Sequence, residues 1–370
     1  MDVVSFARGV PAPECLPVAE MADCARTVIE RDGRTVLSYG PGGGYGPLRE
    51  WIAARHGVEP SRVVVTTSSL QGFGFVADEL VGAGNRVFVE APAYDRPLKL
   101  LSRLRAEVVG VPLDDEGLDS AVLERDLRDG PPPAFLYTNP TFQNPSGRTL
   151  SLERRRHLIE LAHEHDLFIL EDDPYGLVRF EGEPLPTLFE LDGRGERVAY
   201  ASSFSKTVAP GVRVGYLVLP AELAARVEAR AVSTYISPPF LTQATVFEFL
   251  ERGSFEPNLV RVNGLLKLRR DAMLAALERD FPETASWSHP KGGYFLWLDL
   301  PPDVRADDLQ VAAEGVGVTF VKGNDFFTGH LGGEHELRLA YSFVSPEEIA
   351  EGISRLAPLL SGSTAAATAL

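Results

Sequence analysis

Short apolar runs recur along roughly the first 220 residues and alternate with longer stretches that have helical periodicity. The runs predict strands at 62–66, 86–90, 108–111, 134–137, 167–170, 197–200 and 212–219. The stretches between and after them predict helices, of which the clearer ones cover 18–32, 152–165, 221–235 and 242–252. Strands that alternate with helices favour an α/β fold, with a mainly parallel sheet and helices on both faces.

A different pattern begins near Pro257. A long basic helix is predicted at 259–278, and shorter apolar strands follow at 290–299, 316–321 and 336–341. This change predicts a second, smaller α+β unit after the parallel sheet. The tail from Ser361 is small and polar, which predicts disorder.

Composition and charge exclude several classes of protein. The 36 basic and 52 acidic residues give a net charge of −16, which argues against a nucleic-acid partner. No apolar run is long enough to span a membrane, and the start of the sequence lacks a signal-peptide pattern. The two cysteines, Cys15 and Cys24, form no disulfide framework and suggest reduced thiols, so we expect a cytoplasmic protein. The scattered histidines predict no metal site.

Lys206 stands in a loop between two predicted strands, with Ser203, Ser205 and Thr207 beside it and Arg213 seven residues further on. Hydroxyls and an arginine suit a phosphate, and a lysine among them becomes a nucleophilic amine near neutral pH. By itself, a lysine in a serine-rich loop is more often simply solvated. Lys206 and Thr207 do not end a P-loop, because no glycine stands five residues before the lysine. The loop suits an amine that forms a Schiff base beside a phosphate.

Three carboxylates, Glu171, Asp172 and Asp173, follow the predicted strand at 167–170. Their mutual repulsion is relieved if a cation partners one of them. A metal ion is one alternative, although no histidine is placed to complete its ligands. A protonated pyridine nitrogen is the other.

Two further segments follow predicted strands in the same way. Ser68, Ser69 and Leu70 connect a strand to a helix, an arrangement that presents backbone N–H groups to a phosphate or only caps the helix. Asn144 lies beyond the strand at 134–137, where open α/β sheets bind ligands.

The segment Ser-Phe-Ser-Lys-Thr-Val-Ala-Pro-Gly-Val-Arg-Val-Gly at 203–215 resembles the cofactor-lysine segment of fold-type I pyridoxal-phosphate enzymes. The likeness covers about residues 4–358 and points to the class I/II aminotransferase superfamily. The similar branch contains 2-aminoadipate and aromatic aminotransferases and the catalytic domains of MocR-type regulators. The resemblance implies an aspartate-aminotransferase-like fold with an N-terminal arm and active-site mouth (1–45), a large cofactor-binding domain (46–255), a small C-terminal domain (256–360) and a disordered tail (361–370).

The resemblance also implies a role for each matching residue. Lys206 would hold pyridoxal 5'-phosphate as an internal aldimine and act as general base, Asp172 would keep the ring nitrogen protonated, and Tyr94 would stack on the ring. The remaining implied cofactor contacts are Ser69, Leu70, Asn144, Tyr175, Ser203, Ser205, Arg213 and, from a neighbouring subunit, Tyr39. Arg338 would hold the substrate carboxylate beside Asn144. The resemblance therefore implies a homodimer with shared sites.

These residues predict a pyridoxal-phosphate-dependent aminotransferase that acts on an L-amino acid and a 2-oxo acid. The same residues could serve an eliminase or a cyclase of natural-product biosynthesis, such as one that cyclises a hydroxylated arginine. Departures from the family pattern at Arg8, Leu70 and 322–325 keep that alternative open, and Arg8 is a candidate substrate contact. A regulator is not expected, because the sequence begins at the enzyme segment and is acidic.

Overall fold

The structure, a computed structural model, describes residues 2–193, 195–330 and 332–360. Its strands are β1 (Val4–Ser5), β2 (Val63–Thr66), β3 (Arg86–Ala91), β4 (Glu107–Asp114), β5 (Gly117–Leu118), β6 (Phe135–Thr138), β7 (Ile169–Asp172), β8 (Val198–Ser203), β9 (Gly215–Val218), β10 (Ser286–Trp287), β11 (Phe295–Asp299), β12 (Val318–Thr319), β13 (Val321–Lys322) and β14 (Glu336–Ala340). Its helices are α1 (Val18–Val36), α2 (Gly46–His56), α3 (Ser69–Leu80), α4 (Asp95–Arg103), α5 (Ser120–Asp129), α6 (Leu152–Glu164), α7 (Leu188–Leu191), α8 (Ala221–Tyr235), α9 (Phe240–Glu251), α10 (Phe255–Asp280), α11 (Ala306–Gly315) and α12 (Pro346–Leu360).

Within the described ranges, the larger sheet has eight strands in the order β2-β9-β8-β7-β6-β3-β4-β5. Strands β8, β7, β6, β3 and β4 run parallel, while β9 is antiparallel to both of its neighbours and β5 is antiparallel to β4. Strands β6, β7 and β8 are buried along their whole length, as expected when helices cover both faces. The predicted α/β fold with a mainly parallel sheet is confirmed.

Side chains alternate between two apolar cores on the faces of this sheet. Phe88 packs in the core formed with α1, α2, α5, α6 and α9, and its neighbour Val89 packs in the core formed with α3, α4 and α8. This alternation is the two-residue period of a strand buried on both sides. Because both faces of the sheet are covered by apolar cores, polar side chains can gather at the carboxyl ends of the parallel strands.

A smaller antiparallel sheet, in the order β10-β11-β14-β13, packs with α11, α12 and part of α10 around its own apolar core. The N-terminal strand β1 joins this unit, because Val4 pairs in parallel with Val318 of β12. The predicted boundaries at residues 45 and 255 stay predictions, and the tail predicted at 361–370 lies outside the described residues. None of the helices in the described ranges combines the length and apolar character that a membrane crossing needs.

The strands predicted at 212–219 and 290–299 are shorter in the structure, at Gly215–Val218 and Phe295–Asp299. Three further elements differ for physical reasons. Helix α10 begins at Phe255, before the predicted start, because Pro257 lies in its first turn, where a missing N–H is tolerated. Helix α1 continues past the predicted end at residue 32 and buries Val36 in its last turn. The strand predicted at 316–321 is two short strands, and buried Phe320 lies between them. Each of the two pairs with a different partner strand.

Candidate active site

A cavity of about 430 Å³ lies at the carboxyl ends of the parallel strands. Asp172 ends β7, Lys206 follows β8, and Tyr94 and Asn144 follow β3 and β6, so strand order alone brings these residues to one edge. All the predicted site residues except Tyr39 and Arg8 line this cavity: Ser69, Leu70, Tyr94, Asn144, Asp172, Tyr175, Ser203, Ser205, Lys206, Arg213 and Arg338.

The Lys206 amine donates a hydrogen bond to the backbone oxygen of Gly9 at 3.0 Å. It lies 4.9 Å from the ring centroid of Tyr294 and 5.7 Å from that of Tyr175. Burial lowers the pKa of Lys206 to about 8, and the positive charges of Arg338 and Arg213 act in the same direction. A substantial fraction of this amine is therefore neutral, and nucleophilic, near neutral pH.

Asp172 has one satisfied and one free carboxylate oxygen. Its Oδ2 accepts a hydrogen bond from the Tyr137 hydroxyl at 2.8 Å, while its Oδ1 is buried and has no hydrogen-bond partner in the described ranges. Burial raises the pKa of Asp172 to about 7, and the nearby hydroxyls of Tyr137 and Ser69 oppose that rise. A buried acceptor without a partner costs free energy unless a donor fills the position. The free oxygen therefore suits a cationic N–H donor in the cavity.

The two neighbouring carboxylates face away from the cavity, because successive side chains of an extended segment point to opposite sides. Glu171 lies 3.9 Å from the Arg155 guanidinium, and both side chains are completely buried. Asp173 accepts hydrogen bonds from the Gly176 N–H at 2.8 Å and the Tyr200 hydroxyl at 3.2 Å. The carboxylates thus have separate partners, and only Asp172 lines the cavity.

Arg338 stands on β14, opposite Trp297 of β11. Its Nη1 donates to Oδ1 of Asn144 at 2.9 Å and its Nη2 donates to the backbone oxygen of Ala7 at 3.1 Å. Its Nε is buried and has no hydrogen-bond partner in the described ranges, and the guanidinium stacks 4.2 Å from the Phe295 ring centroid. Burial lowers the pKa of Arg338 to about 10, so it remains charged at neutral pH. A fixed guanidinium with a free donor can receive a carboxylate.

The opposite end of the cavity is formed by the start of α3 and the loop after β8. The Ser68 hydroxyl caps α3 by accepting a hydrogen bond from the Gln71 N–H at 3.1 Å. Gly215 allows β9 to lie close to the start of α3, because a Cβ at this position would lie 2.6 Å from the backbone nitrogen of Ser69. The Ser203 hydroxyl donates to that of Ser205 at 2.9 Å. Exposed N–H groups at a helix N-terminus, with hydroxyls beside them, suit a phosphate.

Three residues that hold the site were not predicted from the sequence. Tyr137 hydrogen-bonds Asp172, and Asn139 donates to the backbone oxygen of Asp172 and accepts the N–H of Asn144 at 2.8 Å. Buried Glu90 accepts hydrogen bonds from Thr138 at 2.6 Å and Gln143 at 2.9 Å. The available signal was a polar residue within or directly after a buried strand, which must find a partner inside the protein.

Tyr39 and Arg8 lie outside this cavity. The Tyr39 side chain is 80% exposed in the single chain. The Arg8 guanidinium stacks 4.2 Å from the Phe343 ring centroid, although the backbones of its neighbours Ala7 and Gly9 contact the site. The roles predicted for these two residues stay predictions.

The family model for aminotransferases of class I and II matches residues 2–356. An aromatic-amino-acid aminotransferase of Thermococcus litoralis is 36% identical over 96% of this chain and 87% of its own length. A 2-aminoadipate transaminase of Thermus thermophilus is 37% identical over 97% of this chain and 90% of its own length.

Solved structures agree with these relatives. An alpha-aminoadipate aminotransferase of Thermus thermophilus, solved in complex with N-(5'-phosphopyridoxyl)-L-leucine, has a TM-score of 0.93 and 37% identity to this chain. The match covers 97% of this chain and 92% of that one. Nothing in these matches favours the elimination or cyclisation alternative.

Proposed function

The chain belongs to the class I and II aminotransferases, and from that membership we propose that it moves the amino group of an L-amino acid to a 2-oxo acid with Lys206, Asp172 and Arg338 as its central residues. The enzyme is a pyridoxal-phosphate-dependent aminotransferase. The observation that carries the assignment of residues is the single cavity in which a partly neutral amine, a carboxylate with a free oxygen and a buried guanidinium meet. By analogy with the relatives, we propose aromatic amino acids or 2-aminoadipate as the amino donor.

The residues present fit pyridoxal phosphate. Lys206 supplies the amine that holds the aldehyde carbon, the free Oδ1 of Asp172 suits the protonated ring nitrogen, and Tyr94 lies at the cavity wall after β3. Burial raises the pKa of Tyr94 to about 12, so its hydroxyl keeps its proton. When bound, the cofactor supplies a conjugated ring that withdraws electrons from the substrate Cα. Ser69, Leu70, Ser203, Ser205 and Arg213 would hold the phosphate.

The chain's own residues then perform the proton transfers. Arg338 binds the substrate carboxylate, which fixes the direction of the Cα–H bond. The Lys206 amine, partly neutral near pH 7 to 8, would take the proton from the substrate Cα and deliver it to the carbon derived from the cofactor aldehyde. The Asp172 carboxylate would stabilise the protonated form of the ring nitrogen. The direct test of this function is transfer of labelled amino nitrogen from the donor amino acid to 2-oxoglutarate.

The Tyr137 hydroxyl should help to keep Asp172 ionised. We expect Tyr137→Phe to raise the pKa of Asp172 further, since a hydrogen bond to a carboxylate favours its charged form. With less of Asp172 ionised, kcat near neutral pH should fall about tenfold, as expected for the loss of one hydrogen bond to a charged group. The acidic limb of the pH profile of kcat should move to higher pH, with activity recovering above it.

Tyr200→Phe is the matched control, because that hydroxyl donates to Asp173, outside the cavity. It should leave the acidic limb in place. Equal shifts in both variants, or none in either, would contradict the role of Tyr137.

We also propose that the enzyme is a homodimer in which Tyr39 reaches the phosphate of the partner subunit. Tyr39, Leu37, Val232 and Ile236 are exposed in the single chain. The loop that contains Tyr39 packs on the end of α8, since a Cβ at Gly42 would lie 2.1 Å from the Val232 side chain. An exposed apolar patch of this kind favours a protein interface, and a two-fold dimer completes both sites equally. The predicted cytoplasmic location stays a prediction.

Subunit mixing tests the shared site. Tyr39→Ala and Lys206→Ala should each be inactive alone, and mixing them under conditions of subunit exchange should restore some activity. If Tyr39 acts across the interface, one site of each heterodimer carries both defects and the other carries none. No recovery in heterodimers, or full activity of a monomer in sedimentation at assay concentration, would contradict the proposal.

A further inference from the structure

A second cavity, of about 540 Å³, lies beside the active site and shares none of its lining residues. Its walls come mainly from three segments, namely the loop after β6 at 142–149, the segment 179–185 and the stretch 287–291 from the end of β10 towards β11, and Asp115 adds to them from the turn between β4 and β5. Its volume is within the range of small-molecule sites. Three segments that are distant in sequence therefore enclose a space that the aminotransferase reaction does not use.

Basic side chains from all three segments line this cavity. They are Arg148, Arg179, His289 and Lys291, in a chain whose net charge is −16. The acidic wall residues, Asp115 and Glu183, are both exposed, so they neutralise these groups only weakly. Asp115 pairs with Arg148 at 3.2 Å, but the Asp115 side chain is 95% exposed, and an ion pair so exposed is weak.

Arg179 is the most informative of these groups. Its guanidinium lies 4.7 Å from the Phe142 ring centroid, and its backbone bridges to Gly292 across the cavity wall. Its Nε is buried and has no hydrogen-bond partner in the described ranges, and its Nη1 makes only a long contact of 3.5 Å to the backbone oxygen of Glu181. Burial lowers the pKa of Arg179 and the charge of nearby Arg155 lowers it further, while the carboxylates of Asp173 and Glu183 act in the opposite direction. A guanidinium that is held in place by stacking and has unused N–H donors can bind an anion.

We propose that this second cavity binds a small molecule with two or more negatively charged oxygen groups, either a phosphorylated compound or a polycarboxylate. Arg179 provides the fixed contact at the inner wall, and Lys291 and Arg148 add charge from the other two segments. A ligand bound there would connect the loop of Asn144 to the turn that leads into β11. The site is separate from the one that holds the amino acid.

Calorimetric titration of the cofactor-loaded enzyme tests this proposal, because the cofactor fills the phosphate position of the active site. Binding of an anion at Arg338 is distinguished by Lys291→Gln, which should not weaken it, since Lys291 lines only the second of these two cavities. Pyrophosphate and citrate are titrated separately at constant ionic strength, to distinguish phosphorylated from polycarboxylate ligands. We expect one saturable site with a Kd below about 1 mM for at least one of them. Lys291→Gln and Arg179→Gln should each weaken binding about tenfold or more, as expected for a lost charge-assisted contact.

The matched control is Arg226→Gln, which removes the same charge from the surface of α8, away from the cavity. It should leave the affinity unchanged. Lys291 is exposed, so its substitution should not disturb folding. The proposal is overturned if neither anion gives saturable binding, or if Lys291→Gln binds as tightly as Arg226→Gln.

Discussion

Lys206→Ala is expected to abolish both covalent attachment of the cofactor and turnover. The side chain is the only lysine that lines the active-site cavity in the described ranges, and burial with two nearby arginines lowers its pKa to about 8. Removal of an amine that serves as both attachment point and proton carrier should reduce kcat by about 10⁴-fold. Borohydride treatment followed by peptide mapping should find the reduced cofactor on Lys206 in the parent enzyme and nowhere in the variant.

Lys267→Ala is a suitable control, since Lys267 pairs with Asp271 on the surface of α10. It should keep both the covalent link and the activity. If Lys206→Ala retained a covalent cofactor link that borohydride reduces, together with substantial turnover, the assignment of the lysine would be wrong.

Asp172→Ala is expected to cost about 3 kcal/mol at the transition state, or roughly hundredfold in kcat. Its Oδ1 is buried and makes no hydrogen bond to the residues that the structure describes, and a protonated ring nitrogen needs a negative charge there. Kinetics of the cofactor-saturated variant measure the effect, so weaker cofactor binding does not obscure it.

Asp173→Ala provides the contrast within the same run of carboxylates. Asp173 accepts hydrogen bonds from Gly176 and Tyr200 outside the active-site cavity. Its loss should therefore lower the Tm and have little effect on kcat. A crippled Asp173→Ala together with an active Asp172→Ala would show that the wrong carboxylate was chosen.

The order of elements followed from the apolar pattern, and the convergence of a part of the site followed from strand ends, which meet at one edge of a parallel sheet. Other site residues, such as Tyr94 and Arg338, came from the family resemblance. Lys206, Asp172 and Asn144 each follow or end a strong apolar run, so their convergence did not depend on exact boundaries. The choice of Asp172 among three carboxylates came from the family resemblance, and the structure shows that only this one lines the cavity.

Long-range partners could not be read in the same way. Tyr137 belongs to an apolar strand pattern, and nothing local indicates that its hydroxyl meets a carboxylate 35 residues later. The division of 316–321 into two strands depends on pairing with β1, near the start of the sequence, and with β14, near its end. The position of Arg8 on Phe343 is likewise set by tertiary packing.

A single-turnover reaction tests the central claim most directly. Cofactor-loaded enzyme is mixed with a donor amino acid that carries a labelled amino nitrogen, with no 2-oxo acid present, and 2-oxo acid and ammonia are quantified. Transamination predicts one equivalent of the matching 2-oxo acid per site, no free ammonia, and label that stays on the enzyme until 2-oxoglutarate removes it as labelled glutamate. Release of labelled ammonia, or a cyclised product in place of the 2-oxo acid, would contradict the account.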